Sequence, residues 1–144
     1  MKHYIITLMV FICVSCNHTE NRIIDKFKQE GILFEDFKSA AVKDKTLTSN
    51  IGKFTKIEDL EDSTKYHLEK LELYNISYII LSEKECSGKK VNEIEIIFNG
   101  NWCLAFSPCE IHRMRTGSHE KKGFIESWRL NESWFLWVNR DVIG

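Results

Sequence analysis

Proline is nearly missing from this chain: Pro108 is the only one in 144 residues. Polyproline segments and Pro-rich linkers are thereby excluded. No low-complexity tract and no internal repeat interrupts the sequence, which rules out a solenoid, a propeller or a collagen-like rod. An excess of either charge is missing too. Lys and Arg number 20 against 21 Asp and Glu, so the basic footprint of a general nucleic-acid binder is absent. There is no Gly-x-Ser-x-Gly elbow, no His-Glu-x-x-His pair and no Gly-rich phosphate loop. Long apolar runs are scarce as well. The longest, Tyr4 to Val14, reaches only about half of a ~30 Å hydrocarbon core and is too short for a stable span.

That run has a pattern of its own. Lys2 and His3 precede it, and Thr7 is its only polar member. Ser15 and Cys16 close it before an abrupt change to Asn17, His18, Thr19 and Glu20. A basic start, a short apolar region and a small residue at the break fit a secretory signal, with a plainly cleaved signal or a retained core helix as the alternatives to the lipidated reading that follows. The segment resembles a bacterial lipoprotein precursor: Cys16 matches the cysteine that is diacylated before the signal is removed, Ser15 the small residue before it, and Val14 a tolerated one before that. Cys13 stands where leucine is usual. The resemblance covers residues 1–16 only. It implies a bacterial cell-envelope lipoprotein held to the membrane by its N-terminal lipid and facing the periplasm or the cell surface. Each buried methylene contributes ~0.8 kcal/mol, so two chains hold where one lets go. The expected organisation is a signal over 1–15, a lipidated tether over 16–21 and a single α+β domain over 22–144.

From Glu20 to about Lys43 the apolar residues Ile23, Ile24, Phe27, Phe34, Phe37 and Ala41 recur at helical spacing. Gly31 falls in the middle, leaving one helix or two. The stretch Asp44 to Lys56 reads as a loop with a weak alternation that suits a short strand. A second helix is expected from Ile57 or Asp62 to about Leu73, with Leu60, Leu68 and Leu71 on one side and Ser63 as its cap.

Past Tyr74 the chain turns to β-branched and aromatic runs: Ile76 to Ser82, Asn92 to Phe98, Trp102 to Ser107, Phe124 to Leu130 and Ser133 to Asn139. A three-residue Asn99-Gly100-Asn101 turn sets Phe98 opposite Trp102, Ile96 opposite Leu104 and Ile94 opposite Phe106, giving one wholly apolar face. A two-residue Asn131-Glu132 turn in the last pair sets Trp128 opposite Phe135, with Trp134 and Leu136 on the other side. Apolar residues then occupy both faces, either as a two-sided core or as an aromatic patch for a partner. The expected fold is α+β: N-terminal helices packed on a mostly antiparallel sheet of about five strands in meander order.

Three cysteines follow Cys16: Cys86, Cys103 and Cys109. Export puts them in an oxidising compartment, where disulfides form. The meander brings the connection holding Cys86 to the strand end holding Cys109, so these two are the expected pair and Cys103 a buried free thiol. Three free thiols, or a Cys103–Cys109 pair, are the alternatives. Cys103, Cys109, His112 and His119 have residue types that suit zinc, but their spacing matches no recognised finger or ribbon, and no metal or other cofactor is expected. A small envelope enzyme using Cys109, with His112 as base or a metal at His112 and His119, is the alternative to a non-catalytic binding domain. Alanine at His112 would separate the two.

The longest connection runs from Pro108 to Gly123. Arg113, Arg115, Lys121 and Lys122 outweigh Glu110 and Glu120 there, a local basic patch on a nearly neutral chain. It reads as a solvated loop or as a contact for an anionic surface or an acidic envelope protein.

Overall fold

The computed structural model describes residues 19–109 and 115–142. Cys16, His112 and Arg113 lie outside the described residues. Helix α1 runs Thr19–Ala41, α2 Lys45–Ser49 and α3 Asp62–Lys70. The strands are β1 Thr55–Lys56, β2 Ile76–Cys86, β3 Lys89–Phe98, β4 Trp102–Phe106, β5 His119–Lys122, β6 Ile125–Arg129 and β7 Trp134–Asn139. The fold is α+β. Among the described residues its sheet has seven strands, all paired antiparallel, in the order β1-β2-β3-β4-β7-β6-β5. Five strands in simple meander order is therefore corrected. The meander holds from β1 to β4, after which the chain crosses to the far edge and returns through β5, β6 and β7.

Helix α1 buries Ile23, Phe27, Phe34, Phe37 and Ala41 and bends at Glu30, whose φ of −135° and ψ of 39° are not helical. Gly31 beside it offers no side chain to resist the bend. One helical stretch with a break is thus the answer to the open choice between one helix and two. It starts at Thr19, inside the segment read as tether. Asp44 builds the next junction. Its Oδ1 accepts from the Thr46 and Leu47 amides, capping α2, and its Oδ2 accepts from the Glu61 amide at 2.9 Å. That last bond holds Glu61 extended, so α3 begins at Asp62 and Ser63 lies inside the helix rather than capping it.

All three helices share one core with the sheet. Phe34, Phe37, Leu47 and Leu71 pack with Ile79, Leu81, Ile94, Ile96, Leu104, Trp134 and Leu136, all almost wholly buried. The β3–β4 register is the expected one, Ile96 opposite Leu104 and Ile94 opposite Phe106. The β6–β7 register differs by one residue: Trp128 faces Leu136 and Arg129 faces Phe135. Asn131 is the cause. Its side-chain oxygen accepts from the Ser133 and Trp134 amides, both at 2.8 Å, which makes a three-residue connection where two were expected. Trp128, Trp134 and Leu136 therefore share the helix-facing side. Phe135 and Trp137 lie on the other, where Phe135 is only 5% exposed and has the Arg129 guanidinium 5.6 Å from its ring centre.

The two ends of the sheet differ. At the proximal end, where α1 begins, the Arg140 guanidinium lies 4.0 Å from Glu20. The Asn139 amide donates there to the Asn101 carbonyl, and the Arg140 amide to the Phe124 carbonyl at 2.8 Å. The distal end carries the Ser87-Gly88 turn, in which both residues have positive φ, and the Asn131 turn. Cys86 and Cys109 meet at that end in a disulfide-compatible pair with Cα atoms 5.6 Å apart. Cys103 is a buried free thiol.

Candidate binding site

The β5–β6 hairpin forms one edge of the sheet, and three antiparallel pairings align the rings along it. His119 pairs with Trp128, and Trp128 with Leu136. Trp102 is opposite Val138, one row nearer the proximal end. The rings stack in sequence: His119 on Trp128 at 4.7 Å and 11° between planes, then Trp128 on Trp102 at 5.6 Å. The Arg140 guanidinium closes the column 5.5 Å from the Trp102 ring. Glu126 sits beside it, 3.0 Å from Arg140 and 3.5 Å from Lys121. The Arg140 hydrogen bond holds the Glu126 carboxyl below its ordinary value, outweighing the opposing effect of burial, and Lys121 lowers it a little further.

Next to this column, between α1 and β6, lies a cleft of about 280 Å³ lined by Ile24, Asp25, Lys28, Ser118, Trp128 and Leu130, among others. Its lining mixes apolar Ile24, Phe27, Trp128 and Leu130 with polar Asn21, Asp25, Lys28 and Ser118, which suits a partner's apolar side chain with a polar neighbour. The Ser118 hydroxyl donates to the Arg115 carbonyl, and His119 has Glu126 at 3.9 Å. A second cleft, about 340 Å³, lies at the proximal end between α1 and the residues before β2. Its cations are engaged: Arg22 lies over the Tyr74 ring at 4.7 Å, and Lys26 pairs with Glu30 and Glu72.

Of the four basic residues read as one loop patch, Arg113 lies outside the described residues, and the structure places the other three, Arg115, Lys121 and Lys122. Lys121 and Lys122 are consecutive residues of β5, so their side chains leave on opposite faces, and each has a carboxylate partner in Glu126 or Glu120. Arg115 is exposed and lies towards the distal end, where the Gly117 amide donates to the Arg129 carbonyl. Among the described residues no group of three or more His, Cys, Asp or Glu side chains comes together as a metal site.

On the opposite face of the sheet, Cys103 donates its thiol to Glu95 at 3.9 Å. Burial pushes the Cys103 thiol up, and the Glu95 carboxylate adds to it, so this sulfur is a poor nucleophile. Burial and the neighbouring Glu93 likewise raise the Glu95 carboxyl. Sequence reasoning missed Trp102, Glu126 and Arg140 as neighbours of Trp128. The only available signal was the even spacing of His119 and Lys121, which points both to one face once β5 is known to be a strand.

An α+β domain with an aromatic cleft at the side of its sheet is the class these features define. No protein-family model, no curated protein and no solved structure matches the chain.

Proposed function

We propose that this is a lipid-anchored bacterial envelope lipoprotein whose domain is a non-catalytic binding module. The observation that carries the reading is the apolar run ending at Ser15 and Cys16, with a folded helix starting as soon afterwards as Thr19. No helix among the described residues is long and apolar enough to cross a membrane; in this reading the anchor is the lipid at Cys16. The cleft beside the His119, Trp128 and Trp102 column takes an envelope partner, and the Cys86–Cys109 disulfide closes on export. The enzymatic alternative at Cys109 loses its nucleophile when that bond forms, because the thiolate is the reactive species. Mass spectrometry of protein made in a bacterial host tests the anchor: the N-terminal peptide should begin at Cys16 and carry acyl chains, and Cys16→Ser should release the protein from membranes. An unmodified chain beginning elsewhere overturns the reading.

A further inference from the structure

We propose that the proximal end of the domain seats on the bilayer, with Phe124, Ile125 and Tyr74 entering the headgroup region around the start of α1. The inference rests on the acylation of Cys16. Only Asn17 and His18 separate Cys16 from Thr19, three residue-to-residue steps, and a chain spans at most about 3.3–3.6 Å per residue, so the lipidated residue lies within ~11 Å of the first helical residue. The proximal end is thereby held at the membrane surface.

The side chains found there suit that position. Phe124 is 61% exposed, Tyr74 62% and Ile125 47%. Two chains of contact place them about the beginning of α1: the Arg140 amide binds the Phe124 carbonyl while its guanidinium meets Glu20, and Arg22 lies over Tyr74. An exposed ring thus stands on each side of the first helical turn. Tyrosine, with an apolar body and a polar tip, belongs at such an interface. Electrostatic attraction is not the main force, because Lys121, Lys122 and Arg140 each already face a carboxylate. The seat is apolar and insensitive to salt. Arg115, towards the other end of the sheet, points this proposal away from the basic loop.

The test is hydroxyl-radical footprinting of the acylated full chain on phosphatidylcholine vesicles, with matched references inside the same molecule. Tyr66 and Phe54 are exposed to a similar degree, at 54% and 66%. Tyr74 should label several-fold more slowly than Tyr66, and Phe124 several-fold more slowly than Phe54, at low and at high salt. Phe124→Ser with Ile125→Ser, both exposed and tolerable to folding, should restore labelling at Tyr74. Equal rates within each pair, or protection lost in high salt, overturn the seat while leaving the anchor intact. The same digest reports the mass of the Cys16 peptide, and its appearance without acyl chains removes the anchor reading and the seat together.

Discussion

Asp44 is a buried carboxylate at 1% exposure, and it ties the start of α2 to the start of α3. Burial pushes its carboxyl up, but the hydrogen bond from the Thr64 side chain and those from the Leu47, Glu61 and Thr46 amides together outweigh it, so the carboxyl lies below its ordinary value of 3.8. The folded-state value is depressed; the stability it contributes is therefore complete above the ordinary value and is lost as pH falls through the folded one. Asp44→Ala leaves those donors unpaired in the core and should cost about 2–3 kcal/mol in chemical denaturation at neutral pH. Asp44→Asn should cost less and flatten the loss of stability below the ordinary carboxylate value. An Asp44→Ala protein melting at the wild-type temperature would show that water serves those amides equally well.

At the scale of elements, turn chemistry decides which side chains face the helices. The Asn131 side chain closes the β6–β7 connection by accepting two amides, and the Leu130 amide then donates to the Trp134 carbonyl. One residue fewer in that turn would exchange the faces of β6, sending Trp128 away from Trp102. Asn131→Ala should cost about 1 kcal/mol, comparable with losing a capping side chain. It should also weaken the excitonic signal of the Trp102–Trp128 stack in near-ultraviolet circular dichroism. An unchanged spectrum and stability would mean that cross-strand packing holds the register without the turn. Helix α1 is anchored with similar economy, since the wholly buried Trp134 donates its indole N–H to Glu35 at 2.9 Å.

On the scale of the whole molecule, the crossing from β4 to β5 is the longest non-local step, and the Cys86–Cys109 pair stands at its start. A separation of 23 residues makes a disulfide there worth ~3 kcal/mol in the chain-entropy account. Thermal melting with and without a reductant, alongside a Cys86→Ala with Cys109→Ala variant, should show a drop of that order, and non-reducing peptide mapping should recover the linked peptides. Two free thiols in protein folded under oxidising conditions would defeat this expectation. Cys103 should remain unmodified by alkylating reagents until unfolding, because it is only 1% exposed.

Local pattern was enough to determine much of this protein. The 3.6-residue spacing of Ile23, Phe27, Phe34 and Phe37 sufficed for the long helix, Asn99-Gly100-Asn101 for the β3–β4 register, and the run of alternating residues for β2, β3, β4, β6 and β7. Other features have no local signature. His119–Lys122 lacks apolar residues and becomes a strand only because β6 offers it hydrogen-bonding groups. Lys45–Ser49 is too short to hold as a helix without the Asp44 cap, whose other oxygen is satisfied far along the chain at Glu61. The placement of β7 beside β4, which aligns Trp102 with Trp128 and carries Arg140 to Glu20, belongs to tertiary structure alone. Antiparallel pairing can join a hairpin to either edge of a sheet, and only the burial of Trp134 and Leu136 against α1 chooses between them.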